Sequence, residues 1–255
     1  MTGDGDRLPS GRADGLQLGD EVHVWWVDLR TESPEPYLAG LDDAERARAS
    51  RLRSPEAYRA FVVTRVVLRR LLAAYLGLTS RVDLHYGPQG KPSLVGDPLL
   101  AFNVSHAQTR AVLAFRRHGR VGVDVEEVRA TLAAPRIAER FFAPAENAAL
   151  RALPGDQWQA GFFRCWTRKE AFIKAVGDGL SHDLRSFAVS VDPTQPATLS
   201  SDDDAHWHLV DLEAGEGHTA ALAVSGSATP PVLRLFHWPG AGGGGHNAPD
   251  RFGDS

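Results

Sequence analysis

Cysteine is nearly absent from this chain of 255 residues, and a basic excess and a long apolar run are missing too. The single cysteine, Cys165, excludes an intramolecular disulfide and any metal site built from several cysteines. It also fits a reducing compartment. Its apolar neighbours Phe163 and Trp166, and the lack of a histidine nearby, favour a buried core thiol over a nucleophile.

The charge balance and the chain ends narrow the class of protein further. A net charge of -4 lacks the basic excess of a protein whose main partner is nucleic acid. Residues 1–19 are rich in Gly, Asp and Arg without an apolar stretch, so no secretory signal or membrane span is expected there. We therefore expect a cytoplasmic protein with no nucleic-acid or membrane partner. Residues 1–19 and the glycine-rich residues 239–255 are expected to be disordered.

Hydrophobic patterns along the rest of the chain predict an α+β protein. Runs of β-branched and aromatic residues indicate strands, and apolar residues at helical spacing closed by glycine indicate helices. Strands are predicted at 22–29, 101–105, 111–115, 121–126, 207–212 and 218–224, with two helices over 42–76 ending at Gly77 and one over 162–176 closed by Gly177 and Gly179. Turn residues join the second strand to the third and the fifth to the sixth, which predicts two hairpins.

The chain repeats this order of elements. A helix with a Gly-Leu end, then strands, then a hairpin occurs twice, and TRAVLAF at 109–115 echoes HTAALAV at 218–224. We predict two similar α+β halves, 20–120 and 121–238, each a small antiparallel sheet packed with helices. A single echo of this length also arises by chance.

The stretch VGVDVEEV at 121–128 is the most informative. Alternate side chains of a strand share a face, so the valines point into a core while Gly122, Asp124 and Glu126 point the other way. Two neighbouring carboxylates beside a glycine suit Mg²⁺, which takes one or two carboxylates together with phosphate oxygens. The alternative is the solvent-facing half of an amphipathic strand, which is the commoner outcome for this pattern taken alone.

A second group of functional residues lies on the predicted helix FRCWTRKEAFIK, 163–174. Trp166, Glu170 and Lys174 follow one another at i, i+4 on one face. Glu170 would complete a metal site with the two strand carboxylates, and Lys174 would meet a phosphate as a point charge. An ordinary surface ion pair is the alternative. Lys169 points off this face, toward a ligand edge or solvent.

A third group begins at the predicted hairpin. The strand in FNVSHA, 102–107, ends in Ser105 and His106, and Lys91 precedes it in GKP. Hydroxyl, imidazole and ammonium groups together suit a phosphate monoester, although a strand-end histidine is more often a cap or a core hydrogen-bonding group. The predicted helices over 42–76 also carry basic residues, most of them expected on a solvated face, among them Arg46, Arg48, Arg51, Arg53, Arg59 and Arg65.

Taken in order, GKP, FNVSH, VGVDVE and WTRKEAFIKAVGDGL closely resemble the motifs of the 4'-phosphopantetheinyl transferase superfamily, in particular its long Sfp-type branch. The resemblance covers roughly residues 22–224. It implies two similar halves related by a pseudo-twofold axis, with coenzyme A in the cleft between them. A monomer is expected, since one chain would complete the cleft.

The resemblance also implies roles by position. Asp124, Glu126 and Glu170 match ligands of Mg²⁺ at the pyrophosphate of coenzyme A, and Glu170 is also the implied proton acceptor. Lys174 matches the lysine at the pyrophosphate, and Lys169 its neighbour in a catalytic pair. The remaining implied contacts of coenzyme A are Arg48, Arg59, Gly90, Lys91, Pro92, Ser105 and His106. Among these, Ser105 and His106 match the pair near the 3'-phosphate.

The implied reaction transfers the 4'-phosphopantetheine group of coenzyme A to a serine hydroxyl of an apo acyl or peptidyl carrier protein and releases 3',5'-ADP. The carrier is expected to dock near Phe141, Phe142 and the segment to Trp158. Two interpretations stay open beside it. One is a magnesium-dependent hydrolase that cleaves coenzyme A or a nucleotide without a carrier, and the other is a binding module without turnover.

Overall fold

The computed structural model describes residues 16–79, 82–87, 91–94, 100–129, 134–177, 182–203, 205–226 and 228–240. The helices are α1 (Asp43–Ala49), α2 (Pro55–Leu76), α3 (Pro135–Phe141), α4 (Pro144–Ala152) and α5 (Trp158–Val176). The strands are β1 (Val22–Asp28), β2 (Leu84–Tyr86), β3 (Pro92–Leu94), β4 (Leu100–His106), β5 (Arg110–Arg117), β6 (Val121–Glu127), β7 (Ala188–Val189), β8 (Leu199–Ser200), β9 (Trp207–Leu212), β10 (His218–Ser225) and β11 (Leu233–His237). A short 3-10 helix spans Glu35–Gly40.

The first sheet has the strand order β11-β1-β5-β4, and α2 covers one of its faces. Helix α2 begins where the Ser54 side chain accepts a hydrogen bond from the backbone N–H of Ala57. It ends at Gly77, whose left-handed backbone (φ 64°) suits glycine. The leucines of α2 bury themselves against Trp25 and Phe115 of the sheet.

The second sheet has the order β6-β10-β9, and α5 covers it in the same manner. Helix α5 also ends at a left-handed glycine, Gly177, with φ 97°. The two sheets then pack face to face through a shared apolar layer, with Val24 and Val112 on one side and Val123 and Leu222 on the other. The molecule is therefore layered as helix, sheet, sheet, helix.

The α+β class is confirmed, and both predicted hairpins form, as β4–β5 and β9–β10. The orders β1-β5-β4 and β6-β10-β9 are also the same, since each sheet places the second hairpin strand in the middle. A twofold axis relating the two halves stays a prediction.

The sequence echo pairs residues that face opposite ways. It aligns Leu113 of β5 with Leu222 of β10, yet Leu113 packs under α2 whereas Leu222 packs between the sheets. A shift of one residue reverses every side chain of a strand. The echo in that register therefore does not describe the structural correspondence of the two strands.

The last strand departs from the predicted division of the chain at residues 120 and 121. β11 pairs in parallel with β1, so residues 233–237 belong to the first sheet, which is therefore mixed rather than purely antiparallel. The prediction of disorder also fails at residues 16–19, because Leu16 and Leu18 pack against the first core. The rest of both predicted tails, 1–15 and 241–255, lies outside the described residues. No helix of the described ranges is long and apolar enough to cross a bilayer.

Candidate active site

The site lies where β4 of the first sheet meets β6 of the second. The Asn103 side-chain oxygen accepts a hydrogen bond of 3.0 Å from the backbone N–H of Val123. Two residues further along β4 and one residue further along β6, the Ser105 hydroxyl donates to Asp124 Oδ1 at 2.8 Å. The alternation of a strand places Asn103 and Ser105 on one face, so this pair of bonds aligns the FNVSH and VGVDVE motifs.

Gly122 lets α5 lie directly on β6. A Cβ atom at this position would lie 2.1 Å from the Ala171 carbonyl oxygen and 2.3 Å from the Ala175 backbone nitrogen. The space beside Gly122 is therefore filled by the helix. The face of β6 that carries Asp124 is therefore covered by α5 rather than turned to solvent, and Asp124 is only 2% exposed.

The close approach of α5 brings Lys174 to Asp124. The Lys174 ammonium group lies 2.5 Å from Asp124 Oδ1 and 2.9 Å from the Ser105 hydroxyl oxygen. The second carboxylate oxygen, Asp124 Oδ2, is buried and finds no hydrogen-bond partner among the described residues. A buried carboxylate oxygen without a partner is costly, so this atom is available to a ligand that supplies positive charge.

Glu126 and Glu170 add uncompensated negative charge. The Trp166 indole N–H donates to Glu126 Oε1 at 3.3 Å. Burial and, after it, the neighbouring Asp124 raise the pKa of Glu126 to about 7. Burial followed by Asp124 also raises the pKa of Glu170. Lys174 alone does not neutralise three carboxylates crowded in this way.

The donor set fits a hard divalent cation, although its present placement is not that of a closed metal site. In the described part of the chain, no three His, Cys, Asp or Glu side chains are grouped closely enough to hold a metal ion. The unpartnered Asp124 Oδ2 and the raised pKa of Glu126 are nevertheless what carboxylates show when a cation would stabilise them.

Basic groups line the cleft next to these carboxylates. The His106 side chain is exposed at its surface, but the surrounding protein removes part of its hydration, and this desolvation lowers its pKa. The cations Lys174, Arg65 and Arg48 also lower the pKa of His106. The Lys91 ammonium group donates to the Lys174 carbonyl oxygen at the end of α5. The cleft therefore has a carboxylate side and a cationic side that meet at Lys174.

Arg65 is the functional candidate that the sequence did not single out. Its guanidinium group lies between two rings, 5.6 Å from the centre of Phe61 and 5.1 Å from that of Tyr86. It pairs with Glu45 at 3.5 Å, but Arg65 Nε and Nη1 are buried without hydrogen-bond partners in the described ranges. The i, i+4 spacing of Phe61 and Arg65 on α2 was the available signal.

Three further residues that the resemblance implied as contacts of coenzyme A are Arg59, Pro92 and Gly90. Arg59 donates to the Leu29 carbonyl oxygen at 3.4 Å and lines a separate surface cavity of about 690 Å³ with residues 30–35 and 52–55. Pro92 begins β3 and pairs with Tyr86 of β2. Gly90, like Gly179, falls outside the described residues.

Lys169 is not at the cleft. Its ammonium group lies 2.7 Å from Glu146 Oε1 and donates to the Phe187 carbonyl oxygen at 2.8 Å. The side chain is 1% exposed, so it meets neither solvent nor a ligand edge, the two settings considered from the sequence. Cys165, by contrast, is fully buried as predicted, and burial raises the pKa of its thiol.

The two phenylalanines of the expected carrier surface differ. Phe142 is 1% exposed and packs against Phe162 at 5.3 Å between ring centres. Phe141 is half-buried and meets the edge of Trp166 at 5.9 Å. Only Phe141, of these two, is available to a partner.

Two layered α+β units thus meet at a cleft that carries carboxylates and a lysine. The profile described as the 4'-phosphopantetheinyl transferase superfamily matches residues 120–224. The 4'-phosphopantetheinyl transferase HetI of Nostoc sp. is 40% identical over 87% of this chain and 94% of its own length. The 4'-phosphopantetheinyl transferase Sfp of Bacillus subtilis is 26% identical over 82% of this chain and 93% of its own.

Among solved structures, a holo-(acyl-carrier-protein) synthase of Bacillus anthracis in complex with CoA (3',5'-ADP) aligns with a TM-score of 0.35 and 24% identity. It covers 43% of this chain and 96% of its own. The sequence relatives decide the assignment: the chain belongs to the 4'-phosphopantetheinyl transferase family. The predicted family and the predicted transferase class are thereby confirmed.

Proposed function

We propose that the cleft binds coenzyme A and transfers its 4'-phosphopantetheine group to a serine hydroxyl of an apo acyl or peptidyl carrier protein, with release of 3',5'-ADP. The observation that supports this most directly is the junction of Ser105, Asp124 and Lys174, where an unpartnered buried carboxylate oxygen adjoins a cationic wall. A pyrophosphate with a bound cation satisfies both sides of such a cleft.

Asp124, Glu126 and Glu170 would hold Mg²⁺ at the pyrophosphate. The cation, when bound, neutralises the carboxylates and the phosphate oxygens and so stabilises the charge that develops on the leaving group. Lys174 already lies at 2.5 Å from Asp124 and is 29% exposed, so its ammonium group can reach a phosphate oxygen at the edge of the cleft.

Glu170 is the proposed acceptor of the serine proton. Its pKa is raised by burial and by Asp124, which brings a carboxylate closer to the proton affinity that general-base catalysis needs near neutral pH. The serine oxygen would attack the phosphate nearer to pantetheine. The bond between that phosphorus and the bridging oxygen breaks, and the oxygen leaves with 3',5'-ADP.

The cationic side of the cleft would hold the nucleotide end of coenzyme A. His106 lies beside Ser105 on β4, and Arg48 and Arg65 both lie over the Phe61 ring of α2. A phosphate monoester there would meet the guanidinium group of Arg65, whose Nη1 is buried without a hydrogen-bond partner in the described ranges. Lys91, held at the end of α5, would approach the same nucleotide from the opposite side.

The carrier protein would dock beside Glu126, on the half-buried apolar groups of α3 and α5. Phe141 and Trp166 are in contact at this place, and Ile137 is half-buried on the same helix as Phe141. Arg136 and Arg140 of α3 are exposed. Exposed arginines around an apolar centre suit an acidic partner.

The direct test is transfer itself. Purified protein is incubated with an apo carrier protein, coenzyme A and Mg²⁺, and the carrier is weighed by intact-protein mass spectrometry. A mass gain of one phosphopantetheine group that is lost on adding EDTA is the expected result. Cleavage of coenzyme A without a gain on several carriers would instead indicate a hydrolase, and binding of coenzyme A without either event would indicate a binding module.

A further inference from the structure

Lys169 lies at the centre of a buried network on the side of α5 that faces away from the cleft. Glu146, its partner, accepts from two backbone N–H groups as well. Oε1 accepts from Val189 at 2.7 Å, and Oε2 accepts from Ala143 at 2.6 Å. The Lys169 ammonium group also lies 4.0 Å from the centre of the Phe187 ring. One ion pair therefore ties α5 to the start of α4 and to β7.

The same ion pair holds the turn between α3 and α4. Glu146 holds Ala143 from one side, and Asn147 donates to the carbonyl oxygens of Phe142 and Ala143 at 3.0 and 3.3 Å from the other. With its backbone fixed in this way, the Phe142 ring packs against Trp166 at 6.3 Å between ring centres.

Trp166 connects this turn to the cleft. Its indole N–H donates to Glu126 Oε1, and its ring meets Phe141. The contacts thus run from Lys169 through Glu146, the turn at 141–143 and Trp166 to a carboxylate of the cleft. Lys169, Glu146, Phe142 and Ala143 are buried, whereas Phe141, Trp166 and Glu126 are half-buried.

We infer that Lys169 is a positioning residue: through Glu146 it fixes the turn at 141–143 and so orients Trp166 and Glu126 for the reaction, without touching the substrate. The inference rests on the proposed function for its effect on catalysis. It replaces the catalytic role that the motif implied for Lys169.

The test uses K169M, which leaves Glu146 buried without its cation, and E146Q/K169M, which removes both charges and keeps one carbonyl oxygen as the acceptor for Ala143. Breaking one side of a buried ion pair is much more harmful than removing both sides. The control is R168M, which breaks another buried pair on the same helix, between Arg168 and Asp211 at 2.6 Å. That pair holds β9, and the Arg168 guanidinium group also donates to Ser190 beside β7, so the control is compared with K169M at the Ala143 amide only.

Two quantities are measured at temperatures where all variants are folded: hydrogen exchange of the backbone amides of Ala143 and Val189, and kcat and KM for the carrier. We expect K169M to speed both exchange rates and to lower kcat/KM by about tenfold, and we expect kcat/KM and the exchange rate of Ala143 to recover to within about threefold in the double variant. R168M should leave the exchange rate of Ala143 and kcat/KM near their wild-type values. If K169M folds too poorly, the double variant alone decides.

Two outcomes would overturn the inference. A double variant with a protected Ala143 amide but no activity would show that Lys169 acts on the reacting groups. A K169M variant indistinguishable from R168M would show that Lys169 only stabilises the fold. Absence of transfer by the wild-type protein would contradict the proposed function instead, and the exchange measurement would still decide whether Lys169 holds the turn.

Discussion

Lys169 and Lys174 stand on the same helix in opposite electrostatic settings. Lys169 is 1% exposed and pairs with a carboxylate whose two oxygens each accept a backbone N–H as well. Lys174 is 29% exposed and pairs with Asp124, whose second oxygen has no hydrogen-bond partner in the described residues. Two further carboxylates with raised pKa values crowd the second lysine only.

The difference indicates that the Lys169 charge stabilises the fold, whereas the Lys174 charge is placed to interact with a ligand. A buried pair with all its bonds made is complete, and nothing could be added to it without breaking a bond. The Lys174 cluster is incomplete, because it has more negative charge than the protein neutralises. Perturbed carboxylates in a cleft indicate a functional site, and the predictions below test whether the two clusters respond differently to the same kind of change.

The largest effect is expected from E170Q. This change removes the proposed proton acceptor and should lower the rate of transfer by about a thousandfold. The melting temperature should stay the same or rise, because one repelling charge is lost from the cluster. The carrier-mass assay and a thermal melt measure the two effects. The matched change E146Q, on the Lys169 side, should lower the melting temperature instead. Full activity in E170Q would remove Glu170 from the mechanism.

The next effect concerns the contact that creates the Lys174 cluster. G122A places a methyl group against the backbone of α5, where neither Ala171 nor Ala175 can move without shifting the helix. We expect a loss of about 3 kcal/mol in the free energy of unfolding, measured by urea denaturation. G155A is the control, since an added Cβ there meets no atom within 4 Å. Equal stability of the two variants would show that α5 tolerates displacement from β6.

Much of this arrangement follows from local sequence pattern. The valines of β6 alternate toward the core as the period of a strand requires, and Gly77 and Gly177 end their helices as expected. The spacing of Glu170 and Lys174 on α5 also places both toward the strand carboxylates. These features depend on residues within a few positions of one another.

The features that the local sequence pattern did not predict depend on contacts between distant parts of the chain. Helical spacing shows that Lys169 leaves the Lys174 face, but its partner Glu146 belongs to another helix and is brought there only by packing. The pairing of β11 with β1 joins residues some two hundred positions apart, which no local period reveals. The sequence did not distinguish Arg65 from the neighbouring arginines, because the packing of its guanidinium group over both Phe61 and Tyr86 depends on the fold.

A third prediction uses pH to expose the uncompensated charge. The pKa of Glu126 in the folded protein, about 7, lies above its ordinary value of 4.5. The stability it contributes is therefore complete below about pH 4.5 and is lost as the pH rises through 7. Without metal, the free energy of unfolding of the wild-type protein should fall by about 2 kcal/mol more than that of E126Q over this range. Parallel curves would mean that Glu126 ionises normally.

A smaller effect is expected at the cationic side of the cleft. R65M removes the guanidinium group, whose Nη1 has no hydrogen-bond partner in the described ranges, and should raise the KM for coenzyme A by about tenfold, since a hydrogen bond to a charged group is lost. The KM for dephospho-coenzyme A, which lacks the 3'-phosphate, should change much less. R59M, at the separate cavity, is the control and should leave both values unchanged. An equal loss for both substrates would place Arg65 away from that phosphate.

The smallest effect is expected where no charge is involved. F141A removes a half-buried ring beside Trp166 and should raise the KM for the carrier protein by about fivefold, as for a single apolar contact at an interface. The KM for coenzyme A and the melting temperature should stay close to the wild-type values. F142A, at a 1% exposed position, should instead lower the melting temperature, because it leaves a cavity under the turn. If F141A left the carrier KM unaltered, the carrier would dock elsewhere, and the turn held by Lys169 would act on Glu126 alone.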